Sequence, residues 1–289
     1  MELVVSTPAL ACGASVRRKS AAYLTTDIWK IMQTYPFRLG TTSYIIPDDI
    51  LPNVRYLAGR VKDIELILFE VDDGPNNLPS PEVINELSQL ASRHDLTYTV
   101  HLPLDLKLGD DGSEGDQSLV KAQRVIECTR GLDPWAYVLH LDGKSVRTST
   151  DKVLIKRWQS QSVRALEIVS EWAGGAEKLA VENLETYPLD FIQPVLERIP
   201  VSRCVDIGHL WLDGHDPIPY LRSAMPRTRV IHIHGIAERD HRSLAFMPRE
   251  KIRAVWDELI RAKYEGVLTL EIFSEEDFLS SLEMLEGLS

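Results

Sequence analysis

From Phe37 to the C-terminus, apolar positions fall into two alternating rhythms. Short runs of aliphatic and β-branched residues read as buried strands: Phe37 to Thr42, Ile64 to Glu70, Leu96 to Leu102, Ala136 to Leu141, Lys178 to Asn183, a sixth running through Cys204 to His209, Arg229 to Gly235, and Gly266 to Phe273. Between them, apolar residues recur at helical spacing. Ile50, Val54 and Leu57 form one such face; Val83, Leu87, Leu90 and Ala91 a second; Trp158, Leu166, Val169 and Trp172 a third; and Ile252, Val255, Trp256, Leu259 and Ile260 a fourth. Further helices are expected over Ser118 to Arg130, Leu189 to Arg198, Pro217 to Ala224 and Glu275 to Leu285. Start signals agree: Pro47-Asp48-Asp49 can open the first helix, and Ser80-Pro81 places an N-cap before a proline at the first helical position. Eight strand and helix pairs in strict alternation predict an α/β fold, a (β/α)8 TIM barrel whose parallel strands close around a side-chain core.

A length of 289 residues suits one such barrel over 35–289. Residues 1 to about 34 lack the rhythm and read as a disordered extension; an ordered helix over Tyr23 to Met32 is the alternative, and Met32 could itself be the first translated residue. No stretch reaches the roughly 18 apolar residues of a membrane span, and no basic run precedes Ala9 to Ala14 as in a signal peptide. The net charge of -11 argues against a broad basic face for nucleic acid and favours a small-molecule substrate. Cys12, Cys128 and Cys204 are too scattered for a disulfide framework, which fits a cytoplasmic location.

In a barrel of this kind the site lies at the C-terminal strand ends. Those ends carry His101, His140, Glu182, Asp206 with His209, His232 and Glu271, with Asp240 and His241 on the loop after strand seven. One histidine or carboxylate at a strand end is an ordinary hydrogen-bonded polar residue. Six successive strands ending this way would gather like charges without compensation, so the pattern predicts one or more divalent metals. The long Asp- and Gly-rich stretch 103–116 is a candidate lid or substrate loop. Arg38, Lys107 and Arg242 are candidates for gripping an anionic substrate, with surface solvation as the alternative role.

His101, His140, Val181-Glu182-Asn183, Asp206-Ile207-Gly208-His209, His232 and Glu271 resemble the metal-ligand pattern of the AP endonuclease 2 superfamily, the xylose isomerase-like barrels that include endonuclease IV and many sugar isomerases and epimerases. The resemblance covers Phe37 to the C-terminus. It implies zinc ligands, with manganese as the alternative and one to three ions, at His101, His140, Glu182, Asp206, His209, His232, His241 and Glu271, with Glu182 bridging. The chain departs from the family's Asp-x-His after strand seven, where Asp240 directly precedes His241. His234 stands at a family asparagine and is expected to support the site and face substrate. Phe37 to Tyr44, Glu65 to Glu70 and Leu102-Pro103-Leu104-Asp105-Leu106 are most similar to cobamide-remodelling phosphodiesterases. The implied activity is metal-dependent hydrolysis of a nucleotide-loop phosphoester, with Glu182 and Glu271 as catalytic carboxylates. The alternatives are a one-metal sugar isomerase or epimerase using Glu182, Asp206, His232 and Glu271, a DNA repair nuclease, and a non-catalytic binding barrel.

Overall fold

The computed structural model describes residues 35–69 and 76–288. Strands β1 (Arg38–Thr42), β2 (Asp63–Ile67), β3 (Thr97–His101), β4 (Ala136–Leu139), β5 (Leu179–Glu182), β6 (Ser202–Asp206), β7 (Thr228–Ile233) and β8 (Val267–Leu270) are all parallel and close into a barrel in sequence order. The seam pairs β1 with β8, from Arg38 opposite Val267 to Thr41 opposite Leu270. Around it lie α1 (Ile50–Leu57), α2 (Pro81–His94), α3 (Gln117–Thr129), α4 (Lys152–Ala173), α5 (Gln193–Leu196), α6 (Ile207–Leu212), α7 (Pro217–Ala224), α8 (Arg249–Ala262) and α9 (Glu275–Glu286). Among the described residues no helix is long and apolar enough to cross a membrane. The expected extension 1–34, with its alternative helix, and Glu70 lie outside the described residues.

Helix starts follow the local chemistry. Side chains of Ser80, Asp116, Asp151, Asp216 and Ser274 each accept a backbone N–H of the first turn, and prolines open α2 and α7. Three expectations change. The helix from Leu189 contracts to α5, because Pro194 lacks an N–H and disfavours helical geometry in the residue before it, so it can sit only in a first turn. The sixth strand stops at Asp206, and Ile207 to Leu212 turn into α6. Ile260, expected on the buried face of α8, is 42% exposed, while Ile252, Val255, Trp256 and Leu259 are buried.

Strand alternation makes two cores. Outward-facing residues such as Ile64, Leu66, Val100, Leu139 and Val205 pack with the helices, while Ala136, Val138, Ala180, Cys204 and Val230 form a separate cluster inside the barrel. Counting by twos from that inner cluster reaches His140, Glu182, Asp206 and His232. The site residues therefore share the inward parity, one layer above a floor of small apolar side chains.

Candidate metal centre

His101 ends β3, Glu182 ends β5 and Asp206 ends β6; His140 and Glu271 stand one residue past β4 and β8, and His232 and His234 bracket the end of β7. Asp206 caps α6 through its side chain, Oδ1 accepting the His209 N–H at 2.7 Å, so one turn of helix carries His209 over the barrel mouth. Gly208 within that turn makes room for His234, since a Cβ there would lie 2.1 Å from its Nε2 and the imidazole would have to move. His241 comes in on the loop after β7 with a left-handed backbone (φ 52°), a conformation costly for a residue with a Cβ.

Glu182 Oε2 lies 3.7 Å from His101 Nε2, 3.4 Å from His140 Nε2 and 3.4 Å from His232 Nδ1. The same His232 nitrogen is 3.2 Å from Glu271 Oε2 and 3.9 Å from Asp206 Oδ2. Three adjoining groups result, each with donor atoms within 4.8 Å of one another: His101, His140 and Glu182; Glu182, Asp206, His232 and Glu271; and His209, His234 and His241. Carboxylates link them, Glu182 belonging to the first two, while Asp206 Oδ1 stands 3.5 Å from His234 Nε2 and Glu271 Oε2 stands 3.4 Å from His241 Nε2. The Cys204 thiol lies close enough below to form a further group with Glu182 and His232.

The outer ring nitrogens explain why the inner ones point as they do. His101 Nδ1 faces the Leu102 carbonyl at 2.9 Å, His140 Nδ1 the Asp105 carboxylate at 3.2 Å, His209 Nδ1 the Asn183 carbonyl at 3.0 Å, His232 Nε2 the Glu65 carboxylate at 2.9 Å and His241 Nδ1 Asp240 at 3.2 Å. For His101, His140, His232 and His241 the outer nitrogen therefore donates and the inner one is left with a lone pair; His209 Nδ1 also stands 3.4 Å from Glu182 Oε1 and 3.6 Å from Asp206 Oδ2, and its Nε2 lies 3.5 Å from Glu185 Oε2. His234 differs: its Nδ1 meets both a donor, the His241 N–H at 3.1 Å, and an acceptor, the Gly235 carbonyl at 3.2 Å. His140 Nε2, Glu182 Oε2, Asp206 Oδ2, His232 Nδ1, His234 Nε2 and Glu271 Oε2 are buried without a hydrogen-bond partner. Each such atom costs about 1–3 kcal/mol unless compensated. Their convergence fits divalent cations, the imidazole-rich groups matching zinc and the carboxylate-rich group also matching manganese.

Electrostatics agree. Burial would push the Glu182 and Glu271 carboxyls up, but the surrounding imidazoles, His232 foremost, outweigh it and hold both well below the usual range. For Asp206 burial wins over His209 and His234, and its carboxyl is pushed up. Burial presses the imidazoles down, yet Glu182 and Asp105 carry His140 up to about 10, Asp206 and Glu182 carry His209 to about 9, and Glu271 and Asp240 carry His241 to about 9. Protons and cations compete here for the same lone pairs.

The structure brings together His101, His140, Glu182, Asp206, His209, His232, His241 and Glu271. Asp240 does not join them; standing next to His241 in the chain, it reaches only the outer nitrogen of that ring. His234, expected to support the site, is fully buried within a ligand group. Arg38 opens β1 at the far end of the barrel, where it binds the Lys62 carbonyl, Thr97 and Asp95, and so cannot reach substrate at the site. Arg242 is engaged by Asp277 at 3.2 Å and Glu238 at 3.4 Å and anchors the loop after β7 to α9. Lys107 pairs with Asp142 at 3.4 Å and remains 47% exposed on the loop after β3. That loop is no free lid at its start: Leu106 bridges to Leu141, and Leu106 and Leu108 are buried. Sequence reasoning missed Glu65, Asp105 and Asn183 as supports of the histidines. The alternation Asp63-Ile64-Glu65-Leu66 was a signal for Glu65, placing charge on the inward parity of an otherwise apolar strand.

Residues 60–288 match the model of the xylose isomerase-like TIM barrel family. No curated protein matches the sequence significantly. Solved structures with the same fold include a D-tagatose 3-epimerase-like protein (18% identical, 87% of this chain and 97% of that one, TM-score 0.67). Others are D-psicose 3-epimerase from Clostridium cellulolyticum (15% identical, 87% and 98%, TM-score 0.59) and endonuclease IV from Thermus thermophilus (17% identical, 86% and 99%, TM-score 0.62). At such identities the likeness concerns the fold. With a family match over most of its length, a closed ring of eight parallel strands and a polar cluster at their C-terminal ends, the chain belongs to the xylose isomerase-like TIM barrel family.

Proposed function

We propose that the chain is a metal-dependent phosphoester hydrolase with a multinuclear site. The observation that carries this reading is that Glu182 serves two ligand groups at once while a third adjoins through Asp206 and Glu271. His101, His140 and Glu182 would hold one ion, Glu182, Asp206, His232 and Glu271 a second, and His209, His234 and His241 a third. Bound there, divalent ions supply a water activated near neutral pH and neutralise charge gathering at phosphorus. The two catalytic carboxylates then differ in reach. Glu182, with 1% of its side chain exposed, is enclosed and would hold the histidines around it, whereas the greater exposure of Glu271, at 9%, supports assigning it to orient the attacking water and accept its proton. Among phosphoesters we favour the nucleotide loop of cobamides, on the likeness of Phe37 to Tyr44 and Leu102 to Leu106 to enzymes acting there. The net charge of -11 supports a small substrate over DNA.

A sugar epimerase is the second reading, favoured by the completeness of Glu182, Asp206, His232 and Glu271 as a one-metal set and by the epimerase names among structures of the same fold. It leaves His101 and His140 without work. Replacing both by alanine should lower bound metal by at least one ion per chain, measured by elemental analysis, and abolish release of a corrinoid fragment from cobalamin. Unchanged metal content, with a ketose epimerised by the double variant, would return the epimerase to first place.

A further inference from the structure

Beside Glu182 and His209 the metal centre opens sideways into a narrow, shallow cleft walled by Leu141, Tyr187, Pro188, Leu189, Phe191 and Leu210. We propose that this cleft is a subsite for an uncharged, ring-bearing ester group of the substrate, held next to the phosphorus that the metal centre receives; the proposal rests on the phosphoester reading. The cleft shares two residues with the site, so a group attached to a bound phosphoryl can enter it without leaving the centre. Apart from Asn183 and Asp213 its wall is apolar where the neighbouring metal centre is charged, which fits a ligand that is anionic at one end and mostly apolar at the other.

The wall is built with some effort. Tyr187 packs edge-on against Phe191 with ring centroids 4.9 Å apart, and Phe191 packs on Trp158 at 4.4 Å. Gly143 lets Phe191 sit this low, because a Cβ there would be 2.4 Å from the ring. Immediately before Tyr187, Thr186 is held at φ 64°, a left-handed backbone that a β-branched residue adopts only under constraint. The constraint is visible: the Thr186 N–H donates to Asp213 Oδ2 at 2.7 Å, Arg147 donates to the Thr186 hydroxyl, and the Arg147 guanidinium lies 5.1 Å from the Tyr187 ring centre. Three residues on three loops thus fix the direction of one aromatic side chain. The Tyr187 hydroxyl itself is buried without a partner, so packing alone accounts poorly for a tyrosine there. At the mouth Leu189 is 42% exposed, an apolar side chain left uncovered beside a charged centre.

The test is calorimetric binding of methylphosphonate and phenylphosphonate to the zinc-loaded full-length chain. Phenylphosphonate should bind at least about tenfold more tightly. Leu189→Ser, at an exposed position, and Thr186→Gly, which frees the turn, should each cut that ratio threefold or more. Tyr187→Ala should abolish it where the variant folds. Because the ratio is the readout, a general loss of metal, which weakens both ligands alike, does not imitate the effect. Equal binding of both phosphonates by the native chain would overturn the subsite and leave the phosphoester reading standing. A preference that survives both Leu189→Ser and Thr186→Gly would also overturn it. Should neither phosphonate bind while a ketohexose does, the phosphoester reading falls and the subsite with it.

Discussion

Glu65 occupies no ligand position, yet it decides what His232 can do. Both side chains are fully buried, and the carboxylate accepts a hydrogen bond from Nε2–H at 2.9 Å, leaving Nδ1 toward Glu182, Asp206 and Glu271. Outer partners of this kind are worth about 10- to 100-fold in metal affinity. Glu65→Ala should lower metal affinity by that amount in competition with a chelating dye, and Glu65→Gln, whose amide oxygen still accepts, should recover part of it; equal losses in the two would show that the carboxylate's role is packing. Two residues below, Asp63 is also fully buried, and burial pushes its carboxyl up to about 7 against the pull of Thr97 and Thr99. A folded-state value above the unfolded one means that the unfolded chain ionises first, so this group's contribution to stability falls as pH rises from about 4 to about 7 and is level beyond. Relative to Asp63→Asn, the native chain should therefore lose about 4 kcal/mol across that window, read from urea unfolding at the two ends. A constant difference would refute it. The candidate ligands at strand ends, His101, His140, Glu182, Asp206, His232 and Glu271, stood out because each closes an apolar run, whereas His209 and His241, on a helical turn and a loop, close none. Glu65 and Asp63 were harder to read: their alternation with Ile64 and Leu66 puts them on one face, but a carboxylate early in a strand does not by itself announce that it holds a histidine across the barrel.

Among the elements, those with strong local chemistry were readable. Ser80 and Pro81 open α2 as expected, and the four strongly periodic helices lie where their apolar spacing put them. The short helices were not: α6 follows an apolar run with no polar break, and its Gly208 gives no helical preference, so only the cap made by Asp206 reveals it. The same kind of ambiguity affects the loop after β3. Its length predicts a lid, while the fold buries Leu106 and Leu108 and uses Asp105 to hold His140, leaving 110–115 exposed. Shortening within 110–115 should thus change the melting temperature by no more than a degree or two, on the order of the ±0.5 kcal/mol typical of surface changes. Asp105→Ala should instead reduce metal content while leaving the helices intact by circular dichroism. Comparable unfolding in both would mean that the exposed tip is structural after all.

For the molecule as a whole, the candidate ligands come from β3 through β8 and the loops that follow them, so ions at the mouth would tie together strand ends far apart in sequence. A ligand that binds the folded chain alone stabilises it by mass action, by about 2.7 kcal/mol at a hundred times its dissociation constant. Zinc should therefore raise the unfolding temperature, and a chelator should reverse the gain. The sign of its pH dependence follows from the imidazoles: His140, His209 and His241 hold protons up to about 10, 9 and 9, so the gain should be largest at pH 9 and fade toward pH 5. A gain independent of pH would place the ions elsewhere. The barrel itself was readable because eight alternations leave few other ways to bury both faces of every strand. The close contact between Gly208 and His234 makes the two positions one design problem. With 2.1 Å between a would-be Cβ and the imidazole, any side chain at 208 must push His234 away from Asp206. Gly208→Ala alone should therefore disturb the third donor group, and only a shorter side chain at 234 introduced with it would restore the room, at the cost of one nitrogen donor.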